Sequence, residues 1–180
     1  MPNQTFLLER IDTATGPMLL VTDDQQRLRA LDWDDHEARM RQLFQRSYGP
    51  DVVSLRETPA RSAAARALAA YFAGDLEAVA GLPTAARGTV FQEAVWAALR
   101  QIPAGETLSY GALAARLGQP TAARAVGMAN GANPIAIVVP CHRVIGANAA
   151  LTGYGGGMER KRWLLEHESR ALRLPFAAQG

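Results

Sequence analysis

The only cysteine of the chain, Cys141, stands in the segment PCHRVIG, between Pro140 and His142. A thiol reacts as its thiolate, and imidazole is the side chain best suited to moving a proton near neutral pH. Cysteine beside histidine is therefore a candidate nucleophile with its base. Adjacency alone does not make them a pair, because neighbours in an extended strand point to opposite faces. Contact requires a turn at this point or a bridging water, and a third group to orient the imidazole. Glu166, His167 and Glu168, on the stretch MERKRWLLEHES, compete for that place, and spacing does not choose among them. The plainer reading of a lone cysteine is a small buried hydrophobe. Three features weigh against it: a strand-ending proline, an adjacent imidazole, and the run GYGGG, whose flexible backbone can fold closely over a ligand.

One cysteine excludes an internal disulfide and a zinc site of several thiolates. His36, His142 and His167 show no metal-ligand spacing. No metal is expected. Asp32, Asp34 and Asp35 beside His36 read as a solvated loop rather than a metal site.

The elements that must position these groups are legible around them. IAIVV, from Ile135 to Val139, reads as a buried strand that carries Pro140 and Cys141 to its end. TVFQEAVWAALRQIP reads as an amphipathic helix with a capping box at Thr89 and Gln92 and an apolar stripe of Phe91, Val95 and Leu99. LSYGALAARLGQPTAARAVGMANGANP gives two short helices joined by a tight turn at Gly118–Pro120. Ser109 caps the first, and Thr121 caps the second, which runs from about Ala122 to Ala129. That is a helix-turn-helix outline. The second helix exposes small residues, Ala122, Ala123, Ala125, Gly127 and Ala129, with Arg124 almost alone among them. Such a surface suits close approach to a DNA minor groove with weak sequence preference. The alternative is that the alanines pack against a neighbouring helix.

The rest of the chain sets the frame. It has 180 residues, 48% of them hydrophobic and 20% charged, which suits one or two compact domains. Residues 1–80 hold 9 Arg and 12 Asp or Glu, net −3. Residues 81–180 hold 9 Arg, 1 Lys and 5 Asp or Glu, net +5. A basic second half is compatible with a polyanion partner. No apolar run is long enough to span a bilayer, and no secretory signal is visible, so the expectation is a soluble protein of the cytoplasm. TFLLERI, GPMLLVTD and RLRALDW read as a small antiparallel sheet, and HEARMRQLFQRSYG as a helix with Met40, Leu43 and Phe44 on one side. A second helix, in TPARSAAARALAAYFAG, is expected to be capped by Thr58 and ended by Gly74. The division reads as an α/β domain over 1–80, a linker over 81–88, and a second domain over 89–180.

PCHRVIG, with GTVFQEAVWAAL before it and LTGYGGG and KRWLLEHE after it, resembles the O6-alkylguanine-DNA alkyltransferases. The resemblance is close over about 87–168 and looser before that. It implies an α+β chain: an RNase H-like α/β domain, then a mostly helical domain holding the helix-turn-helix and the reactive thiol. It implies irreversible, stoichiometric transfer of the O6-alkyl group of guanine in double-stranded DNA to Cys141, without a cofactor. O4-alkylthymine is left open as a second substrate. The resemblance makes His142 the base, acting through a water, and Glu168 the group that holds the imidazole. Asn133 would brace the turns around the thiol. Tyr110 would approach guanine N3, and Arg124 would fill the space of the flipped base. Thr121, Ala123, Ala125 and Gly127 would face DNA. Pro140, Val144, Tyr154, Gly155 and Gly156 would border the pocket with Tyr110. Arg143 is expected in a buried ion pair. The chain departs from some members at Gly155, where they carry serine, and at Gly131, where they carry a basic residue. A monomer is expected, with cooperative binding along DNA left open. A cysteine hydrolase, or a DNA-binding protein with an inert thiol, are the competing readings. The first would need an oxyanion hole and repeated turnover.

Overall fold

The computed structural model describes residues 4–49, 53–59, 62–146 and 153–173. The chain forms two compact units, Met1–Gly88 and Thr89–Gly180.

The first unit is built on a four-stranded sheet. β1 (Gln4–Ile11), β2 (Met18–Thr22) and β3 (Leu28–Trp33) form an antiparallel meander, and β4 (Val53–Glu57) joins β1 in parallel, giving the order β3-β2-β1-β4. β2 is buried at every position, as its unbroken apolar run requires when both faces of a central strand are covered. α1 (Glu37–Tyr48) lays Met40, Phe44 and Tyr48 against Phe6, Leu8, Leu19 and Val21. Leu43, expected on that side, is only half-buried. β4 was not foreseen. A parallel partner needs a crossover connection, which α1 supplies here, and no local signal announces it.

Two further expectations are corrected. α2 (Ala63–Phe72) is capped by Ser62, whose Oγ accepts the Ala65 N–H at 3.1 Å, and not by Thr58, whose N–H donates instead to Leu8 O. Gly74, at φ +114°, follows the end of α2 as expected. Asp32 is buried rather than solvated: it lies in β3, accepts the Trp33 N–H and pairs with Arg39 at 3.6 Å. The stretch 81–88 returns to the sheet, where Leu28 N–H donates to Pro83 O and Ala85 N–H to Leu28 O.

The turn between β2 and β3 is clamped by Asp23. One carboxylate oxygen accepts the Gln25 and Arg27 backbone N–H groups, and the other accepts Arg27 Nε at 2.8 Å and Arg29 Nε at 2.9 Å. Burial works to raise this carboxyl's pKa, but those donors outweigh it and hold it below the ordinary value. Arg29 continues to Tyr48 Oη and Ala85 O, with its guanidinium over the Phe6 ring.

The second unit is mostly helical. α3 (Val90–Leu99) starts at a full capping box: Thr89 Oγ1 accepts the Gln92 N–H, and Gln92 Oε1 accepts the Thr89 N–H. Its inner face is Val95, Trp96 and Leu99. β5 (Leu108–Ser109) leads into α4 (Tyr110–Arg116), capped by Ser109. α5 (Ala123–Gly131) packs on α4 and on α3. The parallel pair β5 and β6 (Val144–Ile145) and the last helix, α6 (Met158–Ala171), complete it.

Two readings of this unit change. Thr121 does not cap α5; the N-cap is Ala122, with no side-chain bond, and the helix runs to Gly131 rather than Ala129. Ile135–Val139 is buried but is not a strand: Ile135 makes a single β-bridge, and the chain then turns, with Ile137 at φ +71°. The backbone groups that a ladder would need are taken there by the segment's own turns, Val138 N–H to Ala136 O and Val139 N–H to Ile135 O, and by the Asn133 amide, which meets Ile135 N–H and Val139 O.

Candidate active site

The site is assembled by the turns at 133–143 and by one face of α6. Asn133 is buried after the end of α5. Its Oδ1 accepts the Ile135 N–H at 3.0 Å; its Nδ2 lies 3.3 Å from Ile135 O, 2.9 Å from Val139 O and 3.1 Å from Cys141 Sγ. The Cys141 N–H donates to Val139 O. Pro140 ends the turns, and Cys141–Arg143 form one 3-10 turn. That turn lets adjacent side chains leave in directions that an extended strand forbids. Cys141 is 7% exposed, and His142 is completely buried.

His142 Nε2 lies 2.9 Å from Glu168 Oε2. Glu168, not Glu166 or His167, is the carboxylate that meets the imidazole; His167 stacks on Trp163 instead. Arg143 forks onto the same carboxylate, with Nε 2.9 Å from Oε1 and Nη2 2.8 Å from Oε2, while its Nη1 donates to Ile102 O. Arg143 is thus in the buried ion pair expected of it. Burial works to raise the Glu168 pKa. The imidazole and the Arg143 fork, which persists when the imidazole is neutral, hold it well below the usual carboxylate range. Burial lowers the His142 pKa, Glu168 opposes this, and the nearby Arg143 and Lys161 cations add to the lowering. The resting state is a neutral imidazole on an ionised carboxylate. Nε2 then carries the proton that Glu168 accepts, and Nδ1 keeps a lone pair. Nδ1 is buried and has no hydrogen-bond partner among the described residues.

Two residues of the site were missed by sequence reasoning. Lys161, the single lysine among 19 basic residues, is fully buried and donates to Val144 O at 2.7 Å. Burial pulls its ammonium down to about 8, against the pull of negative charge at Cys141. Its signal was the spacing: Lys161 and Glu168 are two turns apart on α6 and so share a face. Asn130 is also buried, and its amide lies 3.4 Å from Cys141 O. An asparagine at the end of an alanine-rich helix carries no such signal.

The remaining candidates lie around this cluster. Tyr110, half-buried, begins α4 just after β5, and β5 pairs Leu108 with Val144. Tyr110 also lies against α5, since a Cβ on Gly127 would sit 3.7 Å from its ring. Pro140 and Val144 are buried, and Lys161 holds the Val144 carbonyl. Tyr154 and Gly155 are half-buried and Gly156 is buried, just before α6, where Arg160 reaches Gly156 O. Leu151 and Thr152, part of the quoted LTGYGGG, lie outside the described residues. On α5, Arg124 and Ala125 are exposed, as is Thr121 before it, while Ala123 and Gly127 are half-buried. Ala129, expected on the surface, is buried, and its carbonyl accepts Trp96 Nε1 at 2.9 Å. The structure therefore joins Asn133 to Cys141 and His142 to Glu168 by hydrogen bonds, sets the two pairs side by side through the adjacent residues Cys141 and His142, and leaves Thr121, Arg124 and Ala125 on an outer helical surface.

A reactive-cysteine domain preceded by a ribonuclease-like sheet is the class that this fold and site define. Residues 90–170 match the family model for the DNA binding domain of 6-O-methylguanine DNA methyltransferase, and residues 8–86 match its ribonuclease-like domain. The chain belongs to the 6-O-methylguanine DNA methyltransferase family. It is 52% identical over 167 residues to a methylated-DNA–protein-cysteine methyltransferase of Salmonella typhimurium, covering 93% of this chain and 98% of that one. A similar protein of Mycobacterium tuberculosis is 56% identical over 131 residues, 72% of this chain and 79% of that one. Among solved structures, Mycobacterium tuberculosis OGT in complex with DNA superposes with a TM-score of 0.75 at 45% identity, covering 92% of this chain and 94% of that one. Among the described residues, no helix is long and apolar enough to cross a membrane.

Proposed function

We infer that this protein repairs DNA by direct reversal: it moves the alkyl group from O6 of guanine in duplex DNA onto Cys141, keeps it there, and is spent. The observation that carries this reading is the Cys141 sulfur itself. It accepts an amide hydrogen bond and adjoins a buried His142–Glu168 pair whose outer imidazole nitrogen has no partner among the described residues.

Glu168 keeps the Nε2 proton in place, so the lone pair is on Nδ1, and the Cys141 proton passes to it through a water. The imidazolium so formed is stabilised by Glu168. The Asn133 N–H on Sγ favours the thiolate by donating to its charged form. The thiolate attacks the alkyl carbon; an S–C bond forms, the C–O6 bond breaks, and its electron pair goes to the guanine. Tyr110 donates a hydrogen bond at N3 as charge develops there; a phenol does this without bringing charge of its own. A thioether offers no good leaving group, so the protein is not regenerated.

The DNA side of the reading is α5. Ala123, Ala125 and Gly127 let its backbone approach the minor groove, with Thr121 at its start. Arg124 takes the place of the base turned out of the stack, offsetting part of the few kcal/mol that flipping costs. Pro140, Val144, Tyr154, Gly155 and Gly156 border the base once it is extrahelical. The protein works as a monomer in the cytoplasm, where a lone thiol stays reduced.

Intact mass after mixing with duplex containing O6-methylguanine tests the reading. One added methyl group on Cys141 per protein molecule is expected, with none on Cys141→Ser. Lesions removed in molar excess over protein would sink it.

A further inference from the structure

The outer face of α5 carries a side chain that the reaction above does not use. Met128 is 74% exposed, one of four exposed large apolar residues among those described. It stands one turn after Arg124, and residues four apart lie about 5–6 Å apart on one face of a helix. Val126, Ala129 and Asn130 turn inward, so Met128, Arg124 and Ala125 share the exposed side. A long apolar side chain on a surface of small residues is costly to leave in water, and the described residues of its own unit leave it uncovered.

Charge indicates what does. From Thr107 to Met158 the chain has no aspartate or glutamate, and it carries Arg116, Arg124 and Arg143. α5 lies within this carboxylate-free stretch and within the region matched as a DNA binding domain. A polyanion can approach the face without meeting a like charge. One cation and one apolar side chain among alanines and glycines are too little for a stable protein interface, but they suit a narrow groove. Minor-groove proteins set apolar wedges, methionine among them, against base steps, and an unbranched thioether adapts to an irregular surface.

We propose that Met128 is a positioning residue for duplex substrates: it lies in the minor groove one turn from Arg124 and wedges the step next to the flipped guanine. This rests on the reading of α5 as the DNA face. Arg124 fills the vacancy and Met128 keeps the neighbouring base pair from closing over it.

The test compares single-turnover transfer to Cys141 from an O6-methylguanine duplex with transfer from free O6-benzylguanine. Met128→Ala should slow the duplex reaction about tenfold and leave the free-base reaction at the wild-type rate. Met128→Leu should stay close to wild type on both. Equal duplex rates for wild type and Met128→Ala would overturn the proposal, as would an equal loss on both substrates, which would mean a disturbed pocket. Self-association of the wild type without DNA, abolished by Met128→Ala in sedimentation, would assign the side chain to a second copy of the chain. A wild type that takes alkyl from the free base and never from duplex would remove the repair reading itself, and with it this one.

Discussion

Glu168 serves two partners, and that sets what each residue of the cluster does. Arg143 neutralises the carboxylate, so His142 has no need to be charged at rest and its Nδ1 is left able to take a proton. Replacing Glu168 by Gln removes the charge but keeps the shape, and leaves the Arg143 guanidinium buried without a counter-ion. Breaking one side of such a buried pair typically costs about 3–5 kcal/mol. Glu168→Gln should lower the urea midpoint accordingly and slow alkyl transfer; an unchanged midpoint would show that Arg143 finds another partner. The direction of the His142 shift gives a second expectation. Its pKa lies below the ordinary 6.5, so the base stays unprotonated as pH falls through 6.5. The acid limb of the transfer rate should fall below that pH, and a limb centred above 6.5 would count against His142 as the proton acceptor. Cys141 and His142 were legible because their types announce chemistry. Lys161 was not, because its meaning depends on which face of α6 turns inward.

Arg124 and the cysteine sit on different elements, and the separation makes a test. Arg124→Ala should slow transfer from duplex DNA by an order of magnitude or more, since flipping costs a few kcal/mol, while free O6-benzylguanine reacts at the wild-type rate. Equal rates on duplex for mutant and wild type would remove the arginine from flipping. The helices of the second unit were readable because their start signals are local: Thr89 with Gln92, and Ser109 before α4, each act within four residues. Thr121 failed as a cap because Ala122 takes the N-cap position, and a hydroxyl one residue early does not meet the free N–H groups. IAIVV failed as a strand for another reason. A period of apolar residues states that a segment is buried, not what its backbone pairs with. The segment's own turns and the Asn133 amide answered that question.

Across the whole molecule, several buried groups tie stability to pH. Glu168 and Asp23 have folded values below their ordinary 4.5 and 3.8. Their contribution is fully present above those pH values and is lost as pH falls through the folded ones. His142 works in the same direction from 6.5 downwards, because the unfolded chain takes up its proton first. Lys161, at about 8 against an ordinary 10.5, makes stability rise with pH between those two values. Urea midpoints should therefore fall as pH drops below 6.5, more steeply below 4.5. Lys161→Met should abolish the rise between 8 and 10.5, and a wild-type slope in that variant would show that other groups cause it.

The sequence by itself determined the reactive thiol, the basic second half, the starts of α3 and α4 and the family, because each is written in residue types or in short spacings. Tertiary structure alone decided that β4 closes the first sheet in parallel, that the chain turns after Ile135 instead of continuing as a strand, and that Glu168 meets His142 while His167 stacks on Trp163. Those outcomes depend on groups distant in sequence competing for the same hydrogen bonds and the same buried space. No local pattern records which of the competitors wins.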